Sequence, residues 1–298
     1  MTSPPGYVRS ARRSAKRANR EARVPGKRKE ESPLESRGVR EEVIEALRGG
    51  PVLVAFSGGV DSSLLAALAV RALGKERVRC VLLDSPLVPR RAVEEAKETA
   101  ARLDLPLEIV ASPILRDDAF RANRPDRCYT CKKASSRLLK EVARREGVTT
   151  IADGTNLSDL DTYRPGLAAS DEEGVCHPLA RAGATKDDIR RIARECGLPF
   201  WSKPSAACLA TRLPYGSEIT EEALARIEAA EEVLQDRGFS QVRVRLHGDV
   251  ARIEVSPEEL ERLFRMRDEV VAALHEIGFA YVALDLAGYR SGSMDEVL

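Results

Sequence analysis

Two groups of residues in this chain have the types and spacing for chemistry. The first is Ser57-Gly58-Gly59-Val60-Asp61-Ser62-Ser63, which follows the apolar run Val52 to Phe56 and leads into a helical pattern with Leu64, Leu65 and Leu68. Strand, tight turn and helix start in that order put free backbone N–H groups and the positive end of a helix dipole at the turn, which binds anions. Gly58 and Gly59 remove side chains that would hold a phosphate away from the backbone. Ser57, Ser62 and Ser63 can add hydroxyl donors, and Asp61 reads either as a nucleotide-site carboxylate or as a helix-start residue with a local hydrogen bond. The segment predicts a nucleotide phosphate site. It is neither the Walker pattern, which needs a Lys before the final Ser/Thr, nor the GxGxxG of dinucleotide folds.

The second group is Cys128-x-x-Cys131, in RCYTCKK, together with Cys208. Two thiolates at this spacing often bind one metal centre, and Arg127, Lys132 and Lys133 favour thiolate or an anionic cluster. The residues alone admit a zinc site completed by another Cys or His177, a redox pair, or plain buried cysteines. Three cysteines also leave one position of a [4Fe–4S] cluster open, where a hydrosulfide could sit. Adenylation of a carboxylate or amide oxygen by ATP, followed by displacement of AMP by sulfur, would join both groups in one reaction. That points to thiolation rather than amidation. Cys80, inside a predicted strand, and Cys196, at a helix end, read as core residues; Cys176 has no assigned role.

The elements that must position these residues alternate. Val39–Leu47 reads as a helix, 52–56 as a strand, Asp61–Leu73 as a helix, Val78–Asp84 as a strand, Arg90–Leu103 as a helix and Leu107–Val110 as a strand. Cys131–Glu146 reads as a helix that starts at the second cysteine of the CxxC pair, and Thr149–Asp153 as a strand. Such alternation predicts an α/β domain with a doubly wound parallel sheet, whose ligands sit at the carboxyl ends of the strands. Ser57, Asp84 and Asp153-Gly154-Thr155-Asn156 all fall at such ends. Thr185 with Asp188 forms a capping-box-like start for a helix to Cys196. Residues 201–217 are irregular. Beyond them a small α+β module is expected, with a helix over 220–237 and a hairpin, Gln241–His247 and Val250–Val255, turning at Gly248-Asp249. A helix from Pro257, a helical stretch to about Ile277 and the strand Ala280–Leu286 complete it. Val242, Val244 and Leu246 alternate with Arg243 and Arg245, giving one packed and one basic face. The predicted domains are a disordered basic tail, 1–38, a nucleotide domain, 39–217, and the small module, 218–298.

At 298 residues and a net charge of +1 the chain holds one large unit, or a medium and a small one, and lacks a generally nucleic-acid-coating surface. The charge is uneven. Residues 1–33 carry ten Lys/Arg against three Glu and almost no apolar residues, a composition that cannot offset its ordering entropy. No apolar run approaches the roughly 20 residues of a membrane span, the basic N-terminus has no secretory apolar core, and six irregular cysteines make a reducing cytoplasm the expectation.

SGGVDSS resembles the pyrophosphate loop of ATP pyrophosphatases (the PP-loop). Together with RCYTCK (127–132), DGTNLSDLDTYRPGLAA (153–169), KPSAACLATRLPYG (203–216), VRVRLHGDVARIEV (242–255) and DLAGYRSGSMDEVL (285–298), it makes the chain from about Arg40 to Leu298 similar to the LarE family. These are ATP-dependent sulfur transferases of nickel-pincer nucleotide cofactor synthesis. The resemblance implies an adenine nucleotide alpha hydrolase-like fold and adenylation of pyridinium-3,5-biscarboxylic acid mononucleotide with release of pyrophosphate. Sulfur then replaces AMP to give a thiocarboxylate, on each carboxylate in turn.

Carried over to this chain, the resemblance implies Ser57, Gly58, Gly59, Asp61 and Ser62 for the ATP phosphates and Mg2+, and Gly154, Thr155 and Asn156 beside the nucleotide or activated carboxylate. Arg212 would face the reacting carboxylate or phosphate. Arg243 and Arg245 would take the substrate phosphate, the alternative being a solvated strand face paired with Glu254. Glu231 and Glu254 would form a metal site at subunit contacts, and His247 reads as structural. Cys208 matches the cysteine that some relatives sacrifice, leaving dehydroalanine. Others carry CxxC plus this cysteine around a [4Fe–4S] cluster, and Cys128, Cys131 and Cys208 match that second pattern, so cluster-bound sulfide is the favoured donor. A homo-oligomer, possibly a hexamer in the family, is implied too. The competing enzymes are a tRNA thiolase, which the basic tail favours, and an amidating synthetase, which would need an ammonia source. A zinc-stabilised nucleotide-binding regulator is the non-enzymatic alternative.

Overall fold

A computed structural model describes residues 33–160, 165–202, 207–290 and 292–296. Residues 1–32 of the expected tail, and 161–164 and 203–206 of the quoted motifs, lie outside the described residues. Four strands, β1 (Val52–Ala55), β2 (Val78–Asp84), β3 (Leu107–Ala111) and β4 (Thr150–Ala152), form an all-parallel sheet in the order β3-β2-β1-β4. Because side chains alternate across a strand, Val52, Val54, Cys80 and Leu82 face one layer of helices and Leu53, Val81 and Ile151 the other. The first layer comprises α1 (Pro33–Leu47), α2 (Val60–Leu73), α3 (Arg90–Arg102) and, later in the chain, Lys186–Glu195. The opposite face is covered by α4 (Arg127–Arg145) through Leu139 and Val142. Strand order reverses between β1 and β4, which opens a crevice at their carboxyl ends, the expected ligand position in such sheets.

Next come α5 (Pro165–Glu172) and α6 (Lys186–Glu195), the latter started by the expected capping box of Thr185 and Asp188. The small module follows: α7 (Glu221–Asp236), the antiparallel hairpin β5 (Val242–His247) and β6 (Val250–Val255), α8 (Arg267–Glu276) and β7 (Tyr281–Leu284), parallel to β6. Its core joins Leu224, Ile227 and Leu234 to Val244, Ile253 and Leu274, and also draws in Leu209, Ala210 and Leu213 of the preceding segment and Leu87 and Phe120 of the large sheet's loops. The two units therefore share the segment that carries Cys208.

Three features differ from the sequence expectation. Helix α1 begins at Pro33, six residues before Val39. Helix α4 begins at Arg127, four residues before the expected Cys131, so Cys128 lies in its first turn and Cys131 just beyond it. The polar run RCYTCKK has no apolar period to mark this start; the bonds Arg127 N–H to Arg124 O and Thr130 N–H to Asp126 O carry the helical turn back through it. The basic face of the β5–β6 hairpin is not solvated, for Arg245 and Glu254 are 5 % and 1 % exposed.

Candidate active site

The loop between β1 and α2 is closed on itself by its serines. Ser57 N–H donates to Ser62 Oγ at 3.2 Å, the two hydroxyl oxygens lie 3.1 Å apart, and Ser62 Oγ donates to Gly59 O at 3.2 Å. Gly59 caps α2 without any side-chain bond, which leaves first-turn amides for a ligand. The two glycines act differently. Gly58 has φ 70°, and a Cβ there would stand 2.5 Å from Ala96 Cβ, so its missing side chain admits α3 rather than a phosphate. A Cβ on Gly59 would meet only Ser57 Oγ, at 3.4 Å.

The exit of β4 lies against this loop. A Cβ on Gly154 would come within 2.9 Å of Ser62 N. Thr155 N–H donates to Asp153 Oδ1 at 3.1 Å, and its carbonyl accepts from Ala180 N–H at 3.1 Å. Asn156 is buried with Oδ1 unpartnered, and Asp61 Oδ1 is likewise buried and unpartnered. Two orphaned acceptor oxygens beside uncapped helix amides fit a magnesium–nucleotide complex, which would supply their missing partners. Asp61 Oδ2 forms an ion pair with Lys186, the first residue of α6. Sequence reading missed Lys186. Its one signal was a cation at a helix N-terminus, where the dipole disfavours it. Asp84, at the end of β2, forms an ion pair with Arg90 Nη2 at 2.7 Å.

The three cysteines influence one another's ionisation. Burial pushes the Cys131 thiol up to about 12, Cys208 and Cys128 add to this, and Ser135 and Lys132 oppose it. Burial and Cys128 raise the Cys208 thiol, against the Ala210 amide, Arg212 and Arg127. Cys208 is nevertheless accessible to solvent. Among the described residues no three His, Cys, Asp or Glu side chains close on a single metal-ion position. His177 is no fourth ligand: its Nδ1 meets Asp153 Oδ1 at 2.6 Å and its Nε2 meets Asp171 Oδ1 at 3.1 Å. Cys80 is a core residue, its thiol raised to about 12 by burial, and Cys196 packs at the margin of the same core.

Asp153 ties the cysteine helix to the nucleotide loop. Lys132 Nζ donates to its Oδ2 at 2.8 Å. Burial pushes the Asp153 carboxyl up, but His177 and Lys132 outweigh it and hold the group well below the carboxylate range. Burial works against the His177 imidazolium, yet Asp153 and Asp171 raise its pKa above the ordinary 6.5. The Cys208 segment joins the same sheet edge through Leu209 N–H to Leu87 O, 2.9 Å.

The arginines divide. Arg212, 2 % exposed, binds both carboxylate oxygens of Glu231 at 2.8 Å and donates from Nη1 to the carbonyls of Ala207 and Cys208 at 3.0 Å. Its guanidinium thus shapes the Cys208 turn from behind. Arg245 binds Glu254 at 3.0 and 2.7 Å and donates to Thr211 O at 2.9 Å. Glu231 also accepts from Val244 N–H at 3.0 Å, and Glu254 from Arg252 at 3.1 Å, so the donors around both carboxylates are arginines and an amide. Arg243 forms no ion pair among the described residues. It stacks 5.1 Å from the Tyr289 ring centroid, and burial with Arg212 close by lowers its pKa. It is the member of the set left with a cation to offer a ligand. His247 is exposed beside the hairpin turn.

The chain is similar in sequence to several known proteins. The NAD synthase family profile matches residues 36–127. An uncharacterised protein of Synechocystis is 39 % identical over 248 residues, 83 % of this chain and 92 % of that one. The pyridinium-3,5-bisthiocarboxylic acid mononucleotide synthase of Lactiplantibacillus plantarum is 37 % identical over 247 residues, 83 % of this chain and 90 % of that one. The tRNA-specific 2-thiouridylase MnmA of Desulforamulus reducens is 28 % identical over 201 residues, 52 % of this chain and 53 % of that one.

Proposed function

The chain belongs to the pyridinium-3,5-bisthiocarboxylic acid mononucleotide synthase (LarE) family of PP-loop proteins, and from that premise we propose that it is an ATP-dependent sulfur transferase acting on the two carboxylates of pyridinium-3,5-biscarboxylic acid mononucleotide. What supports the reading is that the helix carrying Cys128 and Cys131 and the segment carrying Cys208 are both tied to the strand ends beside the phosphate loop, the first by Lys132–Asp153 and the second by Leu209–Leu87.

In this reading Ser57, Gly59, Ser62 and the first-turn amides of α2 hold the triphosphate, while Asp61 and Asn156 offer oxygens to magnesium and nucleotide. Gly58 and Gly154 let α3 and the β4 exit close on the loop. A carboxylate oxygen of the substrate attacks the α-phosphorus and pyrophosphate leaves, giving an acyl adenylate. Asp61 would be a ligand of a bound magnesium ion, and Lys186, its ion-pair partner in the free protein, is placed to meet the phosphates. Arg243 receives the substrate phosphate. The adenylate carbon is then attacked by sulfur and AMP departs with the C–O bonding pair.

If Cys208 is the donor, its thiolate forms a thioester. Loss of the Cα proton and cleavage of Cβ–S then leave thiocarboxylate on the substrate and dehydroalanine in the chain. Alternatively, Cys128, Cys131 and Cys208 would hold a [4Fe–4S] cluster, which when bound supplies an open iron position for sulfide; three thiols with a neighbouring cation suit such a group.

The test is to incubate the anaerobic full chain with Mg-ATP, sulfide and the pyridinium substrate, following pyrophosphate, acceptor mass and intact protein mass. Exchange of oxygen for sulfur on the acceptor is expected. Loss of one hydrogen sulfide from Cys208 identifies sacrifice, and unchanged protein mass over repeated product identifies the cluster route. Thiolation of tRNA with an inert pyridinium nucleotide would replace this substrate by the one the MnmA likeness offers.

A further inference from the structure

The cations around the thiols differ in whether a carboxylate cancels them. Lys132 is paired with Asp153 at 2.8 Å, Lys133 with Glu172 at 2.9 Å, and Arg212 with Glu231 at 2.8 Å. Arg127 is 3 % exposed and has no carboxylate partner among the described residues. Its Nη1 donates to the neutral Asn123 Oδ1 at 2.6 Å, and its guanidinium lies 4.2 Å from the Tyr215 ring centroid. The adjacent Asp126 is exposed and forms no ion pair with it. A guanidinium does not give up its proton in a protein. An amide oxygen and a ring face offset only part of the penalty for burying that charge.

Arg127 is fixed where the two cysteine segments meet. Asn123, fully buried with φ 51°, donates from Nδ2 to Pro214 O at 2.8 Å, and its carbonyl accepts from Gly216 N–H at 3.0 Å. Asn123, Arg127 and Tyr215 thus knit the start of α4, which carries Cys128, to the chain just after Cys208. Arg127, Arg212 and Cys128 are among the groups whose charge acts on the Cys208 thiol, and Cys208 acts on Cys131 in turn. Arg212 is the partner already cancelled.

We propose that Arg127 is a positioning residue whose uncancelled buried charge makes the surroundings of Cys208 an acceptor of anionic groups, carboxylate or sulfur anion. Which anion enters during turnover rests on the sulfur-transfer reading; the charge itself does not. The site is built electropositive so that an acidic acceptor and an anionic sulfur meet there despite their mutual repulsion.

The experiment compares alkylation of Cys208 by iodoacetate and by iodoacetamide in the full chain, reduced and freed of metal by a chelator under nitrogen, with peptide mass mapping. At one pH and salt concentration the thiolate fraction is common to both reagents, so the rate ratio reads the field at the sulfur. In the native chain the iodoacetate/iodoacetamide ratio should exceed that of the same chain unfolded in urea by roughly three- to tenfold. Arg127→Lys should keep most of the excess and Arg127→Met should remove it. A native ratio no higher than the unfolded one overturns the proposal even if Arg127→Met does not fold. So does an undiminished ratio in a folded Arg127→Met chain. Absence of sulfur transfer with the ratio intact would strike the function reading and leave Arg127's role standing.

Discussion

At the scale of single residues, Lys186 and Gly154 carry the sharpest expectations. Lys186 holds Asp61 in the free protein and sits at a helix start where its charge is otherwise unfavourable. Lys186→Met should therefore weaken Mg-ATP binding by about 10- to 100-fold, the worth of a hydrogen bond to a charged group, and calorimetry with ATP checks it. Unchanged affinity would remove Lys186 from the nucleotide site. Gly154 is a matter of contact. A methyl group 2.9 Å from Ser62 N must push the β4 exit off the loop, so Gly154→Ala should cost about 1–3 kcal/mol in urea unfolding and impair ATP binding as well.

At the scale of elements, the Cys208 turn is held by ion pairs that reach it from α7 and from the hairpin. Glu231→Ala leaves Arg212 buried and uncompensated, a loss of about 3–5 kcal/mol, whereas Arg212→Met with Glu231→Leu should recover most of that stability. The double variant still lacks the two bonds to the carbonyls of Ala207 and Cys208. It should fold yet transfer sulfur slowly, and denaturation set beside turnover separates these effects. The clasp of α4, the β4 exit and α5 is titratable. Because Asp153 and Asp171 raise the His177 pKa, its contribution is complete below about pH 6.5 and is lost as pH rises through the raised value. The depressed Asp153 carboxyl contributes above its unfolded pKa, and that contribution fades only in strong acid. Native stability should thus fall on going from pH 6 toward alkaline values, and His177→Gln should flatten that limb. An unaltered profile in the variant would show that the imidazole plays no part.

At the scale of the whole molecule, the thiols are supplied by both units. Cys128 and Cys131 come from the helix under the large sheet, and Cys208 from a segment whose neighbours Leu209, Ala210 and Leu213 belong to the small module's core. A short bis-maleimide added to the reduced, metal-free chain should join Cys208 to Cys128 or Cys131, read by peptide mapping. Failure of both cross-links while each thiol reacts singly would break the three-cysteine site. The shared core also implies that the small unit does not stand apart from the nucleotide domain. Among the described residues no helix is long and apolar enough to cross a membrane.

The parallel sheet and its phosphate loop were legible in the chain because both are local. Apolar runs such as VRCVLLD can be satisfied only as buried strands, and SGGVDSS carries its own turn and helix start. Thr185 and Asp188 announced their helix by the same short-range logic. The fates of the arginines were not legible, since Arg212, Arg243 and Arg245 look alike in sequence. Folding gave Glu231 to the first and Glu254 to the third and left the second unpaired. In the same way RCYTCKK shows three equal cations, of which only Arg127 emerges buried without a carboxylate. Charge is written residue by residue, but its cancellation depends on partners that lie elsewhere in the chain, and burial decides how much each unmet charge is worth.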